Sequence, residues 1–230
     1  MDAATLLLLV LAALAPPIIL AWRLRNAERH RREPWRVLVR AFVWGATFAA
    51  LLAIALETLL RGRFDRVHLG DPRLTLTIVL LAPLVEELLK ALGLRLIPDA
   101  HPEPEDGSIY GGAVGLGFAA TENAIYIVTA YLLGGAEIAM ATALFRGVAT
   151  TALHGAASAL AGHGVWRARY GGAPWAAAWG LGGAVLLHAA YNGLAAWTPG
   201  WATLGAAGIA VVAYLRMMRR VRVLDGRSGA

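Results

Sequence analysis

Long apolar runs separated by short polar segments occupy the chain from residue 3 to residue 217. Several runs reach or exceed the roughly 18 apolar residues typical of a bilayer-spanning helix, which needs about 20. The pattern predicts an all-α fold, a polytopic transmembrane helix bundle with about seven spans. The predicted helices cover residues 3–22, 37–60, 74–97, 109–133, 137–165, 174–198 and 201–217.

The composition favours a membrane protein. Apolar residues make up 58% of the 230 residues and charged residues only 16%, whereas about 25% of a soluble domain is charged. The chain has no cysteine, which excludes disulfides, thiolate metal sites and a cysteine nucleophile. We expect one integral membrane domain over residues 1–217 and a short basic cytoplasmic tail over residues 218–230.

The basic residues predict an orientation. A pI near 10.3 would also fit a nucleic-acid-binding protein, but the arginines flank apolar runs, which indicates topology signals and lipid contact instead. With seven spans, the arginines of segments 23–40, 167–169 and 216–227 share one side, and far fewer lie opposite, at Arg61, Arg63, Arg66 and Arg73. The positive-inside rule then places the N-terminus outside and the C-terminus in the cytoplasm. The arginine-rich, lysine-poor composition is typical of a GC-rich bacterial genome, and we expect a multi-pass protein of the bacterial plasma membrane.

Ionisable and amide side chains interrupt four of the predicted helices, where a charge costs at least about 2.5–3.5 kcal/mol. They are Glu86, Glu87 and Lys90, then Glu122 and Asn123, then Arg146 and His154, and finally His188 and Asn192. The carboxylates and imidazoles lie roughly 11–14 residues from the predicted cytoplasmic ends, a depth of about 16–21 Å at 1.5 Å per residue. Because four helices place such groups in one layer, we expect them to converge on one site.

Helical spacing adds detail to this site. Glu86 and Lys90 are four residues apart and can pair on one face, while Glu87 points about 100° away. One carboxylate can therefore face a cavity while the other meets a neighbouring helix. Gly111 and Gly115 belong to a small-residue stripe that lets helices approach closely. Arg146 lies toward the outer end of its helix, where we expect its side chain to snorkel toward the membrane surface.

Four segments in order resemble the PrsW family of intramembrane proteases. They are EELLK (86–90), FAATENAIY (118–126), HGAASALAG (154–162) and HAAYN (188–192), which match the patterns EExxK, FxxxEN, HxxxxxxxG and HxxxN. The family is related to the CAAX prenyl proteases and the bacteriocin-immunity-type membrane proteases. Those relatives have EExxxR and FxxxH, whereas this chain has Lys90 and Glu122, which favours the PrsW branch.

The resemblance implies a glutamic-type peptidase with a catalytic core at about residues 74–198 and no cofactor. The implied catalytic residues are Glu86, Glu87, Glu122, His154, His188 and Asn192, with Lys90, Asn123 and Phe118 in support. We expect Glu86 to activate water and His154 to share the proton transfer. His188 and Asn192 are expected to stabilise the oxyanion. The implied partner is a single-pass membrane protein, such as an anti-sigma factor, cleaved at the start of a signalling cascade.

Three alternatives remain open from the sequence. A metal-dependent protease could bind zinc through Glu86, Glu122, His154 and His188. A proton-coupled transporter would also place carboxylates and imidazoles at mid-membrane, although no inverted repeat of the kind common in transporters is evident. A non-catalytic scaffold could bind a partner's transmembrane helix through the glycine-rich faces.

Overall fold

The computed structural model describes residues 2–62, 76–97, 102–197 and 200–228. Within these ranges the chain is almost entirely helical and contains no strand, so the all-α prediction is confirmed for them. Three of the arginines used to predict the orientation, Arg63, Arg66 and Arg73, lie outside the described residues. So do residues 98–101, the first part of the acidic loop before the fourth predicted helix.

In the described part of the chain, seven helical segments, here α1 to α7, correspond to the seven predicted helices. They cover Ala3–Arg25 (α1), residues 35–62 (α2), 77–96 (α3), 106–134 (α4) and 136–170 (α5), Ala176–Trp197 (α6) and Trp201–Ser228 (α7). The largest difference is at the end of α7, which was expected near residue 217. The helix instead continues through the basic segment to Ser228.

A sharp reversal at Gly135 separates α4 from α5. Gly135 has φ 76° and ψ −170°, a backbone conformation that glycine adopts without steric cost. The two helices then pack antiparallel with their backbones close together, because a Cβ added to Gly115 would lie only 2.1 Å from the His154 carbonyl oxygen. The predicted role of the glycine stripe in close packing is therefore confirmed, and the packing sets His154 opposite α4.

Among the described residues, four stretches of helix are long and apolar enough to cross a membrane. They are Ala3–Arg25, Trp35–Leu59, Asp106–Tyr170, which contains both α4 and α5, and Trp201–Arg227. Large apolar side chains also remain exposed along the helices, for example Leu7, Leu133 and Leu186, as expected of a surface that faces lipid. The structure is therefore that of a membrane-embedded helical bundle.

The arginine-rich segments meet at one end of the bundle. Near the end of α7, Asp225 accepts hydrogen bonds from the backbone N–H groups of Arg29 (3.0 Å) and His30 (3.1 Å) in the α1–α2 loop. Arg220 of α7 donates to Nε2 of His163 in α5 at 2.8 Å. The arginine-rich segments therefore lie near one another at one end of the fold, and the side of the membrane that they face stays a prediction.

Three helices each contain one π-helical turn, in which an extra residue shifts the backbone hydrogen bonds out of register. These turns are Gly45–Ala49 in α2, Thr77–Leu81 in α3 and Arg146–Thr150 in α5. Each has a carbonyl that accepts from a side chain: Ala46 from Thr121 (2.6 Å), Ile78 from Asn192 (3.1 Å) and Arg146 from Thr151 (3.0 Å). The donors lie close in sequence to Glu122, His188 and His154. Two of these bonds join different helices, and the bond from Thr151 lies within α5, so all three stabilise segments that carry the predicted site.

Candidate active site

Lys90 lies at the centre of the predicted site. Its Nζ donates to Glu86 Oε2 at 3.1 Å and to Glu87 Oε1 at 2.8 Å, and lies 2.9 Å from His154 Nδ1. The ammonium also sits 3.9 Å above the centre of the Phe118 ring. Because the side chain is only 1% exposed, its charge offsets the two buried carboxylates. The expected convergence of the polar residues is thus observed.

The two glutamates have different surroundings. Glu87 is completely buried and accepts hydrogen bonds from Ser158 Oγ (3.0 Å) and His188 Nδ1 (3.1 Å) in addition to Lys90. Glu86 has one hydrogen bond within the described residues, from Lys90, and lines a cavity of about 290 Å³. Glu87 therefore meets neighbouring helices, and Glu86 faces the cavity.

The contacts of His154 fix its tautomer. An ammonium group has no lone pair, so Lys90 Nζ must donate to Nδ1 of His154. The proton of the neutral imidazole is then on Nε2, which lies 2.7 Å from Glu122 Oε2 and donates to it. The ring of His154 also meets that of His188 edge to face, with their centres 4.9 Å apart.

Glu122 is held on its other side by Arg146. Arg146 Nη2 lies 2.9 Å from Glu122 Oε2, its Nε donates to Asn123 Oδ1 at 3.0 Å, and its guanidinium stacks 3.9 Å above the Tyr126 ring. The side chain is only 13% exposed. The expectation that Arg146 snorkels to the membrane surface is therefore wrong, because Glu122 and Asn123 provide partners inside the bundle.

The cavity beside Glu86 lies between α2 and α4. Its polar and aromatic wall includes Glu86, Phe118, Glu122 and Tyr126, and its α2 wall is formed by Ala53, Ile54, Glu57 and Thr58. Since a liquid water molecule occupies about 30 Å³, the volume accommodates several waters or a short stretch of polypeptide. Water in this cavity would meet the carboxylates of Glu86 and Glu122.

Four buried side chains could hold a metal ion. Glu86, Glu87, His154 and His188 each offer one ligand atom, and these atoms lie within 4.8 Å of one another. Nitrogen and oxygen donors of this kind suit zinc. This set contains Glu87, whereas the ligand set suggested by the sequence contained Glu122. Glu122 instead accepts from His154 Nε2, the kind of outer hydrogen bond that commonly orients a metal-binding imidazole.

The two amides of the predicted site bind other groups. Asn123 Nδ2 donates to Thr151 Oγ1 at 2.9 Å, and Asn192 Nδ2 donates to the carbonyl of Ile78 at 3.1 Å. Both bonds join helices. The oxyanion role of Asn192 stays a prediction, and in the structure its amide joins α6 to the π turn of α3.

Sequence reasoning missed Ser158 and the inward direction of Arg146. Ser158 lies four residues after His154 and therefore on the same face of α5, so helical spacing could have included it. No comparable signal identified Arg146, because its partners Glu122 and Asn123 come from α4 and only the folded hairpin brings them together.

The fold and these contacts define a class, a membrane-embedded helical protein with a buried acid–base cluster beside a cavity. The family profile described as PrsW family intramembrane metalloprotease matches residues 33–219. The chain belongs to the PrsW family.

A curated relative, Protease PrsW of Clostridioides difficile (strain 630), is 40% identical over 122 residues. This match covers 52% of the present chain and 50% of the relative, so it spans about half the relative's length. No solved structure matches the chain.

Proposed function

We propose that the protein is an intramembrane peptidase that hydrolyses peptide bonds of membrane proteins with a water molecule activated by Glu86 and His154. The observation that carries the proposal is the position of Glu86, which is buried and held by Lys90 but faces a cavity. Membership of a family described as intramembrane metalloproteases supports peptide hydrolysis in the membrane, by either a metal-free or a metal-dependent route.

Glu86 is the better placed of the two glutamates to act as general base. It receives one hydrogen bond from the described residues, so its carboxylate keeps acceptor capacity for a water proton. Glu87 already accepts from three donors and is closed off from the cavity wall. Glu87 is therefore assigned to orienting Lys90 and His188.

His154 and Glu122 provide a path for the proton. Nε2 of His154 donates to Glu122, and Glu122 lines the same cavity as Glu86. A proton delivered to this pair can be passed to the amine that leaves when the peptide bond breaks. The Lys90 ammonium and the His188 imidazole stand beside Glu86, where positive charge and N–H groups would stabilise the developing oxyanion.

A zinc-dependent reaction is the second candidate. Glu86, Glu87, His154 and His188 would hold the ion, which would polarise the peptide carbonyl and lower the pKa of a bound water. The donor set and the family description favour this version. Against it, Lys90 Nζ already binds three of the four residues and supplies positive charge to the same donors. We therefore place the metal-free reaction first.

The proposed substrate is a single-pass membrane protein such as an anti-sigma factor, cleaved on the extracytoplasmic side to begin a signalling cascade. We further propose seven spans in a bacterial plasma membrane, with the N-terminus outside and the C-terminus in the cytoplasm. The meeting of the arginine-rich segments at one end of the bundle supports this orientation.

The test is cleavage of single-pass reporter proteins co-reconstituted with the full chain in liposomes. Glu86→Gln should lower the cleavage rate by about 10²–10⁴-fold, as expected for loss of a general base. The matched control is Glu137→Gln, which changes an exposed acid of α5 and should cleave like wild type. Unchanged cleavage by the Glu86 variant would refute its role.

Chelation separates the two versions of the reaction. Cleavage that survives exhaustive chelation supports the metal-free reaction, while loss with chelator and recovery with zinc supports the second candidate. Reporter binding without cleavage, unaffected by changes at Glu86 and His154, would identify a scaffold. Substrate-dependent uptake into the liposomes would identify a transporter.

A further inference from the structure

A second group of buried acids lies away from the candidate active site, at the end of the bundle where the arginine-rich segments meet. It comprises Glu28 of the α1–α2 loop, Glu105 just before α4 and Asp225 near the end of α7, here called the carboxylate cluster. One carboxylate oxygen from each lies within 4.8 Å of the others. All three residues are at most 2% exposed.

Backbone N–H groups hold two of these carboxylates in place. Oε2 of Glu28 accepts from the backbone of Glu33 at 2.7 Å, and Asp225 accepts from the backbone of Arg29 and His30. The second oxygen of Glu28, Oε1, is buried and has no hydrogen-bond partner in the described part of the chain. A completely buried carboxylate thus contributes an unsatisfied oxygen at the cluster.

Arginine and lysine side chains of the described residues pair with neither Glu28 nor Asp225, although Arg31 Nη1 lies 3.5 Å from Oε1 of the nearby Glu103. Across the described ranges, no arginine or lysine nitrogen lies within 4.0 Å of the carboxylates of Glu28 or Asp225, and the imidazole of His30 lies 3.2 Å from Asp225. Two nearby guanidinium groups bind backbone carbonyls instead. Arg25 Nε donates to Glu33 O at 2.7 Å, and Arg32 Nε donates to Glu28 O at 3.1 Å.

Buried carboxylates this close together repel one another when they are ionised. Taking an ionised carboxylate out of water is costly unless it is paired or coordinates a metal. Burial is the main cause that raises the pKa of Glu28 to about 8, and the negative charges of Glu33, Glu105 and Asp225 add to it. A cation held between these carboxylates would offset the cost of ionising them.

The donor chemistry selects the kind of cation. Carboxylate oxygens suit hard ions such as Ca²⁺ and Mg²⁺, and Ca²⁺–oxygen bonds of about 2.3–2.6 Å place opposite ligands up to about 5 Å apart. The separations in the cluster fall within that span. Glu103 and Asp106 form an overlapping acidic group with Glu28.

We propose that the carboxylate cluster binds a hard divalent cation, Ca²⁺ or Mg²⁺, which fastens the α1–α2 loop to the start of α4 and the end of α7. The three proposed ligands are all carboxylates, and the site is separate from the candidate active site. It does not depend on the peptidase activity.

The test measures ion binding to the full chain in a lipid-free, phosphate-free detergent solution after EDTA treatment and dialysis. Equilibrium dialysis with CaCl₂ or MgCl₂ should show one saturable ion per chain, and comparison of the two salts identifies the preferred ion. Glu28→Gln and Asp225→Asn should each weaken binding by about tenfold or more, since affinity follows the number of charged ligands. The exposed Glu137→Gln should bind as wild type does.

Thermal melting with and without ion distinguishes an ion ligand from an acid with only a structural role. Without added ion, and at a pH above the raised pKa of Glu28, Glu28→Gln should melt at or above wild type, because an amide removes the repulsion between charged carboxylates. With saturating ion the order should reverse. Absence of ion binding by wild type at millimolar concentration would overturn the proposal. So would wild-type binding by both cluster variants, or binding that is lost in Glu86→Gln and kept in Glu28→Gln.

Discussion

Replacing Lys90 with methionine is the sharpest test of how the buried charges are balanced. Methionine has a similar length but no donor, so Lys90→Met leaves Glu86 and Glu87 without the ammonium that now lies 3.1 and 2.8 Å from their oxygens. Removing one partner of a buried ion pair costs about 3–5 kcal/mol. For a chain of this size, 1 kcal/mol shifts the melting temperature by about 2–4 °C. We therefore expect Lys90→Met to melt about 6–20 °C below wild type.

A second substitution identifies the cause of that loss. Glu87→Gln removes the more deeply buried of the two stranded charges, so the double variant should regain more than half of the lost melting temperature. Neither the single nor the double variant should cleave the reporter proteins in liposomes, because both lack the ammonium beside Glu86. Tryptophan fluorescence during heating in detergent at pH 7 measures both variants.

The matched control is Arg95→Met, which removes an exposed cation from the same helical segment and should change the melting temperature by less than about 2 °C. A Lys90→Met protein that melts with wild type, or a double variant less stable than the single one, would show that the ammonium does not balance these carboxylates.

Three further predictions concern the surroundings of the site and the carboxylate cluster. Ser158→Ala removes a donor to buried Glu87, so the free energy of unfolding should fall by about 1–3 kcal/mol, measured by thermal melting. Gly115→Ala places a Cβ 2.1 Å from the His154 carbonyl oxygen, so it should lower both the melting temperature and reporter cleavage. In chelator, wild-type stability should fall as pH rises from 4.5 toward about 8, because folding raises the pKa of Glu28 and the folded state binds its proton more tightly. Glu28→Gln should flatten that dependence in melting curves.

Controls for these variants come from the same chain. Gly205→Ala adds a Cβ with nothing within 4 Å and should leave cleavage and melting unchanged. Ser158→Thr keeps the hydroxyl and should retain more stability than the alanine variant. Stability that rises with pH over the stated range, or an equally steep fall in the Glu28 variant, would contradict the assignment of the proton to Glu28.

The sequence predicts the helices and the convergence of the site because both follow from one-dimensional patterns. Apolar runs set the seven segments, and the shared depth of Glu86, Glu122, His154 and His188 anticipates their meeting. Arg146 was assigned to the membrane surface from its position in α5, but the energetic gain of pairing with Glu122 decides its direction. That gain depends on a partner from another helix, and residue spacing along one helix does not identify such a partner.

Two further points escaped the sequence for similar reasons: the end of α7 and the choice between Glu86 and Glu87. The apolar run ends near residue 217, but α7 continues because Asp225 caps backbone N–H groups of the α1–α2 loop. Spacing placed Glu86 and Glu87 on different faces without saying which one meets the cavity. Which face of α3 meets the cavity at Glu86 and Glu87 depends on the preceding π turn, and the apolar periodicity of the sequence does not reveal that turn.

The π turn Thr77–Leu81 sets the rotational phase of the rest of α3. A turn shortened by one residue would rotate everything after it by about 100°, and Glu87 would then occupy the cavity-facing direction that Glu86 has here. Two chains that both carry adjacent glutamates can therefore differ in which acid meets water. The glutamate pair alone does not identify the cavity-facing acid in a relative. That acid should be identified by its distance along the helix from this π turn, which the hydrogen bond from Asn192 to the Ile78 carbonyl locates.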